Sequence, residues 1–236
     1  MSTPSFEYSG EELKVMSIAH NYRQYWMSKL PSLPSDSHVL EVGAGIGSNV
    51  AQLLEKFNRV SLIEPDTGQE AVLREKFKDY ITTNRVDIYS GYQEILSSDN
   101  FDLILYIDVL EHIENDLSEL RLASSKLRPN GRLFLVVPAF QALFSNYDRK
   151  LSHYRRYSKE KLRSVTPRNF QVESIFFLDS VGLLGVVLNR ILFNTNLNLF
   201  AVRVWDTILI PISIILDRFI FKHRFGKSLV LIAKKY

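Results

Sequence analysis

The sequence predicts an α/β chain, a doubly wound Rossmann-like parallel sheet with helices on both faces. Three observations predict it. Val39-Leu40-Glu41-Val42 is a short apolar run that passes directly into a turn with glycine at alternate positions, Gly43-Ala44-Gly45-Ile46-Gly47, and then into a helical stretch. Apolar runs of strand length recur after it, separated by stretches of helical period, and that alternation indicates crossover connections in a parallel sheet. Acidic residues stand at the ends of these runs, at the sheet edge where open α/β sheets bind ligands.

The elements follow in order. A leading helix over Glu11 to Leu30 carries Ile18, Tyr22, Tyr25, Trp26 and Leu30 at helical spacing. Pro31-Ser32-Leu33-Pro34-Ser35-Asp36 breaks it and links it to the first strand. Glycines in the next turn let the backbone bend tightly and let a ligand approach without meeting side chains. Helices are expected over Ser48–Phe57, Gln69–Phe77, Asn115–Leu127 and Ser158–Ser164. The second strand, Arg59 to Ile63, ends in Glu64-Pro65-Asp66, and the third is Arg85-Val86-Asp87-Ile88. The fourth, Phe101 to Ile107, leads into Asp108-Val109-Leu110-Glu111-His112-Ile113. Leu127-Arg128-Pro129-Asn130-Gly131 turns into the fifth, Arg132 to Pro138, and Gln171–Phe177 and Ser228–Lys234 are the last strands.

The glycine turn departs from the G-x-G-x-x-G dinucleotide fingerprint, because position 48 is serine and an acid, Glu41, precedes the loop. A carboxylate repels a pyrophosphate in a poorly solvated site and suits a cationic ligand. Glu64 stands where an acid commonly accepts from ribose hydroxyls. Asp87 is placed to accept from an adenine amino group, with Ile88 covering the ring.

These segments, from about residue 38 to 138, together resemble the class I S-adenosylmethionine-dependent methyltransferases: the E-V-G-x-G-x-G loop, the acid after the second strand, the Asp-Ile pair, F-D-x-I-x-x-x-x-V-L-E-H-I and L-x-P-N-G-x-L. The resemblance implies a seven-stranded sheet whose last strand is antiparallel, and S-adenosyl-L-methionine as cofactor. It places Glu41, Gly43, Gly45 and Gly47 near the methionine part, Glu64 on the ribose, and Asp87 and Ile88 at the adenine. Ile107, at the end of the fourth strand, joins this cofactor set, and so does Tyr22, because a leading helix in such enzymes closes over the site, with Trp26 beside Tyr22.

Composition is consistent with a globular enzyme. Of 236 residues 46% are hydrophobic, enough for a sizeable core, and the net charge is only +3. The absence of cysteine excludes disulfides and thiolate metal sites, and no metal is expected. No cationic apolar leader opens the chain, so a cytoplasmic location, with membrane association through residues 178–225 as a variation, is the expectation. The division expected is a helical cap over 1–36, a core over 37–177, an apolar helical insertion over 178–226, and the final core strand over 227–236.

Two insertions should choose the substrate. The first, residues 138–158, leaves the sheet edge that bears the glycine loop and shows no helical period, so it reads as a binding loop. Its Asp148, His153, Arg155, Arg156 and Tyr157 form a D-x-x-x-x-H-Y-R-R-Y pattern that resembles one in bacterial methyltransferases encoded near polysaccharide genes. Methyl transfer to oxygen needs an aligned acceptor and a base. His153 is the candidate base, His112 the second, and Asp148 would orient either. Arg155, Arg156 and Tyr157 are candidate substrate ligands, since guanidinium forks clamp phosphate or carboxylate. The second insertion, about Leu178 to Phe225, is apolar, but Asp179, Asn189, Arg190, Arg203, Asp206 and Asp217 interrupt any membrane span. It reads as a lid, a dimer surface or a face dipping into a membrane.

Methylation of a small-molecule, sugar or lipid-linked acceptor at oxygen is therefore the expected function. Nucleic-acid methylation is the alternative, supported by eight Lys or Arg against one acid between Arg149 and Arg168. It lacks the Asn/Asp-Pro-Pro-aromatic signature that holds an extruded base. A nicotinamide oxidoreductase conflicts with Glu41 and Ser48, and a non-catalytic S-adenosylmethionine-binding protein stays open.

Overall fold

The computed structural model describes residues 11–96, 100–188 and 198–236. Residues 1–10 of the expected helical cap, and the interrupting Asn189 and Arg190, lie outside that set. The leading helix is two pieces, α1 (Glu11–Met16) and α2 (His20–Met27), because the chain turns between them. The Arg23 guanidinium draws the Ser17 carbonyl into a 3.0 Å hydrogen bond there, so that carbonyl serves the turn rather than a continuous helix.

Seven strands form one sheet in the order β3-β2-β1-β4-β5-β7-β6. They are β1 (His38–Val42), β2 (Arg59–Ile63), β3 (Val86–Tyr89), β4 (Phe101–Ile107), β5 (Leu127–Pro138), β6 (Phe170–Leu178) and β7 (Ser228–Lys235). The first five run parallel, whereas β7 pairs antiparallel with both β5 and β6, as the resemblance implied. Two of the crossover helices are capped by side chains. Asp66 caps α4 (Thr67–Lys76) by accepting from the Gln69 N–H, and Asn115 caps α6 (Asp116–Lys126) by accepting from Ser118. Between β1 and β2 lies α3 (Val50–Lys56), and a short α5 (Lys78–Thr82) precedes β3.

The period of two along the strands divides the core between the sheet faces. Val39, Leu103, Leu105, Phe134 and Val136 pack on one face with Tyr22, Tyr25, Trp26 and Leu53. Leu40, Ile104, Tyr106, Leu133 and Leu135 pack on the other with Leu120, Leu162 and Ala123. Glu41 shares its face with Val39, which buries its carboxylate beneath the N-terminal helices.

Residues 138–158 are not pure loop. A 3-10 turn, Gln141–Leu143, is followed by α7 (Asn146–Lys150), which Ser145 and Asp148 open with a reciprocal capping box. The expectation of a loop rested on missing apolar period, and a five-residue helix is too short to show one. The Ser145-x-x-Asp148 spacing was the signal available. After it come α8 (Lys159–Val165) and β6.

The region before β7 is helical. It contains α9 (Ser180–Leu188) and one long helix, α10 (Leu199–Val204) continued through a π-turn at Trp205–Leu209 into α11 (Ile210–Phe219). By length and composition Leu199–Phe219 is long and apolar enough to cross a membrane, contrary to the expectation that charges interrupt every candidate. Asp206 and Asp217 do lie within it, but both turn inward and are buried.

Candidate active site

The carboxyl ends of β1, β2 and β4 open onto a cavity of about 1030 Å³. Small-molecule sites run to roughly 1,000 Å³, so this volume suits two ligands side by side. One wall is the glycine turn. Gly43 and Gly45 have φ of +72° and +56°, a left-handed conformation that side chains disfavour, and both line the cavity. A Cβ on Gly43 would fall 2.6 Å from a Val109 methyl, which ties the turn to the loop after β4. Gly47 also has a positive φ, +70°, but does not line the cavity. A Cβ there would meet Phe77 and Leu73, so this glycine serves helix packing rather than ligand approach.

Glu64 lines the cavity at the end of β2 and receives the Gly45 N–H at 2.7 Å and the Asp66 N–H at 3.0 Å. Burial pushes its carboxyl up, and those two donors hold the rise in check. Glu41 is fully enclosed beneath the turn, outside the cavity lining, and one oxygen accepts from Asn49 at 2.6 Å. Burial raises its carboxyl to about 7, against the pull of Asn49 and Arg23. It acts through Asn49 and Arg23, which do line the cavity. Tyr22 and Ile107 line it as expected, and Trp26 does too. Tyr22 is fixed by a 2.7 Å hydrogen bond to Ser228 and by the Trp205 ring 5.1 Å away.

Asp87 and Ile88 do not line this cavity. Asp87 pairs in register with Ser61 in mid-strand, and its carboxylate receives Arg59 at 3.0 Å and the Ser61 hydroxyl at 3.3 Å. Strand β3 runs on to Tyr89, and the cavity is lined there by Ser90, Gly91, Tyr92 and Gln93. The expected strand Arg85–Ile88 puts Asp87 next to its end, whereas the observed one extends to Tyr89 and leaves Asp87 in mid-strand.

The opposite wall comes from the loop after β4 and the segment around α7. His112 and His153 meet edge to face with ring centroids 4.5 Å apart, and both line the cavity. His153 Nδ1 lies 3.2 Å from the buried Asp148 carboxylate, which fixes the ring and leaves Nε2 to other partners. Arg156 donates to the same carboxylate through Nε at 2.7 Å and a terminal nitrogen at 3.2 Å. Burial alone would raise Asp148, but these bonds outweigh it and hold the carboxyl well below the usual range. Burial, and then the neighbouring His153, lower His112 to about 4, so His112 is neutral near pH 7 and a weak base.

Arg156 reaches the cavity, but Arg155 and Tyr157 do not. Arg155 donates to the Ile113 and Glu114 carbonyls and pairs with Asp116 at 3.0 Å. Tyr157 is fully buried, with its hydroxyl on the Leu110 carbonyl and Asp116. These two lock the loop after β4 to the segment after α7. Alternation along Arg155-Arg156-Tyr157 sends only the middle side chain to the cavity, which adjacency in sequence does not reveal.

Four groups were missed. Asp108, at φ +53°, begins the loop after β4, and burial raises its carboxyl. Lys227 enters beneath Trp205 and Tyr22, its ammonium 3.6 Å and 4.8 Å from their ring centroids and 3.7 Å from Asp179. Burial lowers its pKa despite that carboxylate. Trp205 lines the cavity from the helical insertion, and Gln69 from α4. Lys227 and Trp205 had no signal, since they flank segments that read as plain strand and plain apolar helix.

Do these residues fit an adenosyl sulfonium? The buried Glu111 and the half-buried Gln69 line the cavity, each with an enclosed oxygen that no hydrogen bond reaches in the structure, and Glu41 has one beneath the loop. Burial, with Asp108 adding to it, raises the Glu111 carboxyl strongly. Enclosed carboxylates of this kind are relieved by a cation or a hydrogen-bond donor, and a pyrophosphate would worsen them. The set fits. Ligating atoms of Glu111, His112 and His153 also lie within 4.8 Å of one another, a spacing a divalent ion could use.

Residues 18–173, more than half of the chain, match the family model described as Methyltransferase domain. An uncharacterized methyltransferase of Staphylococcus carnosus is 24% identical over 176 residues, covering 73% of this chain and 78% of that protein. A probable ribosomal RNA small subunit methyltransferase A of Halobacterium salinarum is 41% identical over 54 residues, which span 23% of this chain and only 19% of that relative. Among solved structures, the geranyl diphosphate C-methyltransferase of Streptomyces coelicolor A3(2) superposes with a TM-score of 0.63 at 13% identity, over 99% of this chain and 86% of that one. At that identity the likeness is one of fold.

Proposed function

This chain belongs to the methyltransferase domain family, and on that premise we propose that it methylates an oxygen of a small-molecule, sugar or lipid-linked acceptor, with His153 as the base. S-adenosyl-L-methionine is the cofactor and, when bound, supplies an electrophilic methyl group on a sulfonium. One observation carries the reading. The glycine turn and Glu64 form one wall of the cavity, and His153, held by Asp148, stands on the other.

This chain's own residues then have separable tasks. Glu64 accepts hydrogen bonds from the cofactor side, and the glycine turn admits the ligand to the backbone. Tyr22, Trp26 and Trp205 cover the cavity and exclude water. His153 removes the acceptor proton at Nε2 while Asp148 fixes the ring, and His112 is too weakly basic for that task. Arg156 and Lys227 place positive charge beside the acceptor space, which suits an anionic group on the acceptor. Geranyl diphosphate, bound in the Streptomyces structure, is an acceptor of that amphiphilic kind. The Asp148-to-Tyr157 pattern supports the same small-molecule reading.

An RNA acceptor is favoured by the short match to ribosomal RNA methyltransferases. Against it, Arg155 engages the Ile113 and Glu114 carbonyls and the Asp116 carboxylate instead of standing free for phosphates.

The test combines calorimetry with transfer of labelled methyl from S-adenosyl-L-methionine into sugar, lipid and RNA fractions. Wild type should bind S-adenosylhomocysteine and ignore NAD. His153→Ala should lower transfer by about 10²–10⁴-fold, the usual worth of a general base, with S-adenosylhomocysteine affinity intact. A larger loss in His112→Ala than in His153→Ala reassigns the base. Incorporation into RNA alone overturns the acceptor class, and cofactor binding with no transfer to any fraction leaves a binding protein.

A further inference from the structure

The long helix Leu199–Phe219 is built inside out. Its buried stripe is Val202, Asp206, Ile210, Ser213 and Asp217, so both of its acids and its serine face the core. Each is used. Asp206 receives the Asn21 and Tyr22 N–H groups at 3.1 and 2.8 Å, satisfying the first turn of α2. Asp217 receives the Tyr25 hydroxyl and the Asp179 N–H, both at 2.8 Å, and Ser213 donates to Asp179 at 2.7 Å. The outward stripe is Phe200, Ile208, Ile212, Ile215 and Phe219, at 43% to 77% exposure. A helix packed on a core and facing water shows the reverse pattern. Leu184 on the neighbouring α9 and Ile220 extend the apolar patch.

The charges around this patch select its partner. Between 198 and 225 both acids, Asp206 and Asp217, are buried, and the exposed ionisable side chains are Arg203, Arg218, Lys222 and Arg224, all cations. Arg218 lies over the Phe219 ring at 5.2 Å, with its charge at the edge of the apolar stripe. A second copy meeting this face across a two-fold axis would bring like cations together. An anionic lipid surface takes both components, acyl chains against isoleucine and phenylalanine and headgroups against arginine and lysine.

We propose that the outer face of Leu199–Phe219, with the cations of 218–224, docks the protein on an anionic membrane with the helix lying in the interfacial plane. The inward aspartates hold the helix along the core at both Asp206 and Asp217, so it stays on the protein surface rather than crossing the bilayer. The same helices wall the cavity from within, through Ala201, Trp205 and Leu209 and through Gly182, Gly185 and Val186. Docking therefore sets the cavity wall against the lipid phase. Resting on the methyltransferase reading, this selects an acceptor with a lipid tail.

The test needs no catalysis. The full chain is sedimented with phosphatidylglycerol-containing vesicles and with pure phosphatidylcholine vesicles, with thermal melting as the fold control. Wild type should pellet with the anionic vesicles, more weakly with the neutral ones, and be released by salt. Ile212→Glu with Ile215→Glu should lower partitioning roughly tenfold or more, the worth of two buried isoleucines, without changing the melting transition. Arg218→Glu with Lys222→Glu should abolish the preference for anionic lipid. Wild type remaining in the supernatant with both vesicles overturns the proposal. So does a soluble dimer that the isoleucine variant dissolves in the absence of vesicle binding. Since no methyl transfer is read, a failure here is distinct from a failure of the proposed chemistry.

Discussion

Glu64 concentrates the cofactor question in one side chain. Its carboxylate already ties the Gly45 and Asp66 N–H groups, and its place on the cavity wall gives it further acceptor capacity. Glu64→Ala should weaken S-adenosylhomocysteine binding by roughly 1–3 kcal/mol, the worth of charge-assisted hydrogen bonds, and calorimetry measures it. Unchanged affinity would place the ligand elsewhere. Glu41 makes a separate prediction. Its carboxyl lies near 7 when folded against an ordinary 4.5, so folding favours its protonated form. That stabilisation is full below about 4.5 and is lost as pH rises through about 7. Glu41→Gln keeps the acceptor for Asn49 and removes the titration. The variant should therefore exceed wild type on the order of 1–3 kcal/mol above neutrality and converge with it in acid, in melts run across that range. Parallel pH profiles would show that Glu41 is ionised in the fold.

Elements decide which residues of a motif meet. Alternation and strand length placed Glu64, Ile107, His112, His153 and Arg156 around one cavity and turned Arg155, Tyr157, Asp87 and Ile88 away from it. The inside-out helix is held by the same kind of local logic, since its aspartates satisfy backbone donors at the starts of α2 and α9. Asp217→Ala strips the partner from the Tyr25 hydroxyl and from two N–H groups. It should lower stability by about 2–4 kcal/mol through buried donors left unpaired, with earlier proteolytic cleavage within 198–225. Denaturant unfolding and timed proteolysis check both. A variant as stable as wild type would show that apolar packing alone seats the helix.

At the scale of the molecule, the sheet supplies the rigid edge and the insertion supplies the closing wall. That division explains what could be read in advance. The strand segments, the glycine turn and the acid after β2 were legible because each rests on local rules: period two, positive φ, and a ligand edge at the carboxyl ends of parallel strands. Lys227 was not, because it becomes a cavity residue only where β7 returns antiparallel beside β5 and brings it under Trp205. The outward direction of the insertion's apolar stripe was equally hidden. Sequence shows two stripes on Leu199–Phe219, and hydrophobicity alone would bury the apolar one.

The sequence by itself determined the fold class and the glycine turn, and it named the histidines and aspartate that line up as candidates, since these follow from short-range pattern and from chemistry tied to residue type. Only the tertiary structure decided which of those side chains share a cavity, that His153 rather than His112 is held by Asp148, and that the long helix turns its aspartates inward. The reason is physical. Pairing and burial between residues far apart in the chain are set by how elements pack, and the energy of a buried carboxylate depends on the donors that packing brings to it.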